Sequence, residues 1–250
     1  MRKKIISFSL WGDKTAYYYG MLENILKRDE IYPGWIIRIY YGEGSLISKF
    51  IPIYQKFPDV ECIDMTQFSI KKWGKASTAM NMMWRFLPCF SDKNEIETVI
   101  IRDNDSVFSK REANSVECWL KSNKIFHIIK DNPRHGGVIL GGMWGYKNDN
   151  SLKPYRKKMI CFPRFEDNKG VDMFFLRKVV FPIASKSAFV SLGNKGGTSL
   201  KASNEVEIKR LEPYLSSNFV GQPISITPLA FKYLGEKPFC LKKKPWGQKF

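Results

Sequence analysis

The sequence predicts an α/β fold: a mostly parallel central sheet flanked by helices, in a single domain. Three observations predict it. Short β-branched runs alternate with amphipathic segments through the first 130 residues, the pattern of strand–helix–strand units. One of those runs, ETVIIR at 97–102, is apolar on both faces, as a central parallel strand is. The chain has 250 residues, 44% of them hydrophobic, which is enough for one sizeable core.

KIISFSLW (4–11) reads as the first strand. Asp13 is placed to cap a helix in which Tyr17, Met21 and Ile25 recur at four-residue spacing. PGWIIRIYYG (33–42) is a turn followed by a second strand, LISKFIPIYQKF (46–57) a helix interrupted at Pro52, and VECIDM (60–65) a third strand. Ser77 starts a helix whose apolar face is Met80, Met83, Trp84 and Leu87. After the fourth strand, ETVIIR, Ser109 and Glu112 form an S-x-x-E capping box. The helix it opens is buried through Ala113, Val116 and Leu120.

KIFHII (124–129) is a further strand, followed by a Gly-rich loop, VILGGMWGYK (138–147), and a basic segment at 153–164. GVDMFFLRKVVFPI (170–183) reads as a helix ending near Pro182. Residues 185–204, rich in Ser, Gly, Asn and Lys, are expected to be a mobile loop, and the last fifty residues short strands and irregular chain.

The formal net charge of +17 favours polyanionic partners: nucleic acid, an anionic membrane surface or phosphorylated substrates. The lysines concentrate in a basic C-terminal tail, about 235–250, that ends KPFCLKKKPWGQKF. Cys62, Cys89, Cys118, Cys161 and Cys240 contain no CxxC pair, and the chain has two histidines, which argues against structural zinc. The same pattern points to reduced thiols and a cytoplasmic location. MRKKIISFSLWGDK reads as a first strand rather than a signal peptide, because its apolar part is short and no small-residue cleavage site follows. No apolar run approaches the ~20 residues of a membrane span. No repeat of solenoid period is present.

The chemistry gathers at IIRDNDSVF. In open α/β sheets ligands sit beyond the carboxyl ends of the strands, and Asp103 and Asp105 lie there. Two carboxylates at i and i+2 on such a loop can turn toward one hard divalent cation, Mn2+ or Mg2+, whose other positions take water and phosphate oxygens. The competing reading is an Asx turn ahead of the Ser109 cap.

VIIRDNDSVFSKRE, FHIIKDNPRH and ILGGMWGYK, in that order, resemble GT-A-fold glycosyltransferases. The likeness is closest to small transferases of the RDxDS…GGMWG type, more distant to glycogenin-like family 8 enzymes, and covers residues 4–222. It implies a GT-A, Rossmann-like fold, a nucleotide-sugar donor (UDP- or GDP-sugar), a metal, and a glycan or lipid-linked acceptor. It also assigns roles. Phe8, Ser9, Leu10 and Gly12 would pass the base and ribose. Arg85 would stand near the donor. Asp103 would meet the ribose or sugar, and with Asp105 would serve the metal. Gly141, Gly142, Met143 and Trp144 would line the sugar pocket, Trp144 being equally a core residue. Asp172, in KGVDMFFL, would act as general base or orient the acceptor. Lys237 or Lys244 would meet the diphosphate.

The pattern is broken in two places. Met173 replaces the family 8 glutamine, and no histidine follows His135, so that Phe219 stands where a late metal-binding histidine would be. Two other classes compete. Nucleotidyl transfer also uses paired aspartates but usually needs two metals and more carboxylates, for which Asp131 and Asp172 are the candidates. A non-catalytic nucleic-acid-binding module would explain the charge, but no RRM, KH or zinc-finger signature is present, so no nucleic acid is expected. Lysines interleaved with Phe239, Trp246 and Phe250 in the tail suggest a peripheral foot on an anionic membrane.

Overall fold

The computed structural model describes residues 2–76, 78–162, 170–193, 197–213, 219–223, 227–238 and 241. Its strands are β1 (Lys3–Leu10), β2 (Ile36–Tyr41), β3 (Val60–Asp64), β4 (Ile96–Ile101), β5 (Phe126–Lys130), β6 (Trp144–Lys147), β7 (Ala188–Leu192) and β8 (Val206–Arg210). They form one sheet in the order β3-β2-β1-β4-β6-β5-β7-β8. Every described pairing is parallel except the two made by β6, which runs antiparallel to both β4 and β5. The helices are α1 (Thr15–Ile31), α2 (Ile47–Tyr54), α3 (Thr66–Trp73), α4 (Lys110–Lys121), α5 (Arg156–Cys161), α6 (Val171–Phe175), α7 (Phe181–Ala184) and α8 (Pro228–Leu234). A 3-10 helix spans Ala79–Phe90, and a π-helical turn, Leu176–Val180, joins α6 to α7.

Two apolar cores sandwich the sheet, and the period of two along β1 separates them. Ile6, Phe8 and Leu10 enter the core under α1, α2 and α8, with Tyr18, Phe50 and Phe231. Ile5 enters the opposite core with Met83, Phe86 and Phe175. Ser7 and Ser9 share the Ile5 side and are fully or nearly buried. Their small side chains let the 3-10 helix lie close on β1. The Ser9 hydroxyl accepts from the Arg85 backbone N–H at 2.9 Å and donates to the Met82 carbonyl at 3.4 Å. That contact is why β1 needs a serine at its carboxyl end.

Several local expectations are corrected. Asp13 does not cap α1; its carboxylate accepts from the Ser45 N–H at 2.7 Å and braces the loop after β2. Pro52 does not interrupt α2, which runs on to Tyr54. Half of the capping box forms: Ser109 accepts from the Glu112 N–H at 3.2 Å. The Glu112 carboxylate turns inward instead, to Arg102 at 2.6 Å and Tyr32 at 2.8 Å, because a buried guanidinium needs an anion more than an exposed N–H does. Ser77 lies outside the described residues. Thr78 caps the 3-10 helix, its hydroxyl accepting from Met80 N–H at 3.2 Å.

The helix from 171 passes Pro182 and ends at Ala184. The widened turn at Leu176–Val180 ends before Phe181, and Pro182 stands at the start of α7, in the first turn, where a helix tolerates it. The Gly-rich loop closes into β6 at Trp144, and the expected mobile loop contains β7, whose five residues are all buried. Three helices, α3, α5 and α8, stand where none was expected.

Candidate functional site

The site lies past the carboxyl ends of β1 and β4, and its centre is Arg85. The 3-10 helix carries this arginine, the Ser9 hydroxyl holds its backbone, and its side chain is buried. The guanidinium pairs with Asp103 Oδ1 through Nη1 and donates from Nη2 to Asp172 Oδ2 at 2.7 Å. Burial disfavours its charged form, but Asp103 and Asp172 together outweigh burial and hold Arg85 above its ordinary pKa. Three residues from three segments, the 3-10 helix, the β4 loop and α6, thus share one ionic cluster.

Gly141 and Gly142 make room for it. A Cβ on Gly141 would collide with Asp172 Oδ2 and Arg85 Nη2, and one on Gly142 would collide with the Asp103 carboxylate. The glycines are needed for close approach of the backbone to the cluster. Gly12 has φ +76, donates its N–H to Glu43 O at 2.8 Å and accepts from the Tyr18 hydroxyl at 2.5 Å. It fixes the turn leaving β1.

The acidic loop is tightly tied. Asn104 donates to Ser9 O at 2.9 Å, and its own Oδ1 is buried without a described partner. Asn24, on α1, donates to Ser106 O at 2.8 Å and accepts from Phe108 N–H at 2.8 Å. Arg102, just upstream, is bonded to Glu112 and donates to Trp144 O at 3.2 Å. A cleft opens against this loop, lined by Ser9, Trp11, Tyr17, Met82, Arg85, Asp103, Asn104 and Asp105. Burial raises the Tyr17 pKa, the negative charge of Asp105 and, less, of Asp103 adds to it, and Lys14, whose Nζ donates to the Tyr17 hydroxyl at 3.3 Å, opposes it.

The donor set suits a hard divalent cation. The Asp103 side chain is 46% exposed despite its bond to Arg85, and Asp105 is half-buried at the same cleft. Mg2+ and Mn2+ sites of this kind use one or two carboxylates and complete their shell with phosphate and water. Among the described residues no group of three His, Cys, Asp or Glu side chains stands ready for a metal.

Other expected site residues are placed differently. The side chains of Phe8 and Leu10 are fully buried in the core under α1, so only their backbone is available to a ligand. Trp144 is a core residue, 5.6 Å edge-on from Phe86 in the opposite core. Met143 is buried with Ile129 and Val220, its sulfur against Gly221. Lys237 is exposed, one residue beyond Glu236, which accepts from Tyr19 at 2.5 Å and Lys49 at 2.7 Å. Lys244 and most of the tail lie outside the described residues.

His135, in the loop after β5, is buried. Its Nδ1 accepts from Asp131 and Asn132 N–H at 3.1 and 3.2 Å, and its ring packs edge-on against Phe219 at 5.5 Å. Burial lowers its pKa to about 4. Asp131 is fully buried, held by both arms of Arg111 at 2.6 Å and by the Val220 N–H at 2.8 Å, so it is committed to structure. Trp11, Tyr17 and Asn104 were missed. Tyr17 lies on the α1 apolar spacing and Asn104 is the middle of the acidic tripeptide, so only the tertiary fold turns them into the cleft.

No protein-family model and no curated protein sequence matches the chain. Among solved structures it is similar to a mannosyltransferase from Pyrobaculum calidifontis in complex with GDP-Man and Mn2+, at TM-score 0.49 and 13% identity, covering 83% of this chain and 56% of that one. It is also similar to S. aureus TarS, at TM-score 0.47 and 11% identity, covering 85% and 60%. A third is a glycosyltransferase involved in glycosylation of the major capsid of PBCV-1, at TM-score 0.43 and 13% identity, covering 75% and 80%. The chain therefore spans 56% of the length of the first of these structures and 60% of the second.

Proposed function

We propose that the chain is a glycosyltransferase that moves a sugar from a nucleotide donor to a hydroxyl acceptor, assisted by Mn2+ or Mg2+. One observation carries the reading: a buried arginine clamped between Asp103 and Asp172, beneath a glycine pair, at the cleft that Asp105 also lines. The paired Arg85 fixes Asp103 beside Asp105, two part-exposed carboxylates at one strand-end cleft, and a divalent cation held there would supply the positive charge that a diphosphate needs.

In this reading Asp103 and Asp105 would hold the cation, which would supply Lewis-acid neutralisation of diphosphate charge. Arg85 aims Asp103 and keeps its carboxylate oriented. Trp11 and Tyr17 line the cleft and offer aromatic surface where the buried Phe8 and Leu10 cannot. Asp172 has both oxygens engaged, Oδ2 by Arg85 and Oδ1 by the Met173 N–H at 2.8 Å. That arrangement favours orienting the site over abstracting a proton. The two further carboxylates that nucleotidyl transfer would need, Asp131 and Asp172, are both paired and buried, whereas Asp103 stays part-exposed beside its arginine, which supports sugar transfer over a two-metal site. The acceptor is read as a glycan or a lipid-linked glycan, and the location as cytoplasmic.

The test is calorimetric titration of UDP, GDP and CMP with and without Mn2+, beside a salt-dependent DNA-binding assay. Binding of one diphosphate that requires Mn2+ and is lost in Asp105→Ala supports the reading. Equal affinity with and without the metal removes the metal role. Binding of DNA alone returns the chain to the nucleic-acid class.

A further inference from the structure

We propose that the outer surface of α3, α5 and α6 is a docking face for an anionic lipid bilayer. These helices form one layer over the 3-10 helix. Trp73 at the end of α3 donates its Nε1–H to Ile160 O of α5 at 3.2 Å, and Phe162, just past α5, packs on Phe174 of α6 at 5.7 Å. The joined surface is cationic. Lys71 and Lys72 are exposed on α3, Lys157 and Lys158 on α5, and Arg177 and Lys178 on the turn after α6. No exposed acid stands among the described residues 66–76, 153–162 and 170–187; Asp172 is buried against Arg85. Charge of one sign gathered on adjoining helices attracts a surface of the other sign.

Apolar groups decide which anion. Ile70 is 43% exposed on α3 and Phe174 is 37% exposed on α6, each beside lysines, and Lys178 lies 5.6 Å over the Phe174 ring. An exposed isoleucine offers a nucleic-acid backbone neither stacking nor a hydrogen bond. At a bilayer it enters the boundary between headgroup and acyl chain while the lysines meet the phosphates. The layer is tied to the site through one ion pair, from Asp172 of α6 to Arg85, which lines the cleft. The bilayer contact itself does not rest on the transferase reading, since no nucleotide or metal takes part. It is separate from a foot formed by the C-terminal tail.

The experiment is sedimentation of the full chain with phosphatidylcholine vesicles, with and without phosphatidylglycerol. Binding is expected only with the anionic lipid. The reversal K71E/K72E/K157E/K158E should lower the partition coefficient at least about tenfold, I70S/F174S should weaken it severalfold, and truncation after Gly235 should leave most of it. The thermal midpoint of each variant checks its fold. K157Q/K158Q, confined to exposed positions, replaces the fourfold reversal should that variant fail to fold, and a clear loss of binding is again expected. The proposal is overturned if binding survives the reversal, if truncation after Gly235 abolishes it, or if the face variants lose binding to single-stranded DNA while anionic vesicles never bind.

Discussion

Arg85 Nη2 donates to Asp172 Oδ2 at 2.7 Å across 87 residues of sequence, and both side chains are buried. An isosteric Asp172→Asn keeps the shape and removes the charge. A buried guanidinium then loses one of two anions, which costs about 3 kcal/mol of stability. Arg85 and Asp103 shift with it. If the proposed function holds, turnover should fall roughly 100-fold through misplacement, far more than donor affinity, which weakens only as much as the shift of Asp103 requires. Steady-state kinetics beside donor calorimetry separates the two; unchanged turnover would leave Asp172 a purely structural residue.

Gly142→Ala places a methyl where the Asp103 carboxylate now lies. The neighbour is an ion-paired side chain and its own backbone, so it cannot give way cheaply. Mn2+-dependent nucleotide binding should weaken by about tenfold or more, in line with the loss of a charged hydrogen-bonding partner. Gly136→Ala, with open space around its Cβ, should bind as the parent does. Equal affinity in both variants would show that the glycine is not guarding Asp103.

Asp131→Asn breaks a bidentate pair that also holds the Val220 N–H at 2.8 Å. Residues 219–223 rest on this carboxylate, on Met143 and on a bridge from Ser106 to Pro223. Hydrogen exchange at Val220 should accelerate well beyond any change in the β1–β2 pair. Uniform acceleration across the sheet would mean that Asp131 supports the whole fold rather than this segment.

Two histidines make the fold acid-sensitive. His127 is fully buried against Ser115 and Ser191; burial, Arg102 and Lys147 push its pKa well below 6.5. His135 is lowered to about 4. Unfolded, both take up protons near pH 6.5, so the unfolded chain binds more protons below that value. Stability therefore rises with pH from about 4 to 6.5 and is complete above it. The thermal midpoint should fall as pH drops through this window, and His135→Asn should reduce the slope. A midpoint flat from pH 7 to 5 would contradict the assignment.

The five strands expected in the first 130 residues, the acidic loop and the helix carrying Arg85 were legible because each has its own local signal. VIIR is β-branched and closes on the acids, and Ser109 sits three residues before Glu112. What was not legible depends on neighbours. AFVSL lies among serines, lysines and glycines that read as loop, yet β5 and β8 on either side make it a buried strand. WGYK is too short and glycine-rich to announce β6, whose pairing comes from β4 and β5. In α3 only Ser69 is fully buried, so its sequence carries no apolar stripe. In the candidate site, residue type and spacing marked Asp103 and Asp105, while Arg85 and Asp172 were named only by the resemblance to GT-A transferases. That Phe8 and Leu10 point away followed only once the parity of β1 was fixed by its two cores.

The strand β6 has a kinetic meaning. It is the described strand that pairs with both β4 and β5, and it comes after both in the chain. The half-sheets on either side can each zip from nearby segments, but they cannot join until residues 144–147 slot between them. The glycines that admit Arg85 to its acids lie two and three residues before that strand. The residues that line the cleft all belong to the β1–β4 half, so a chain stalled before closure would already carry Arg85 and Asp103 but would lack the glycine pair and Asp172 that complete the ionic cluster.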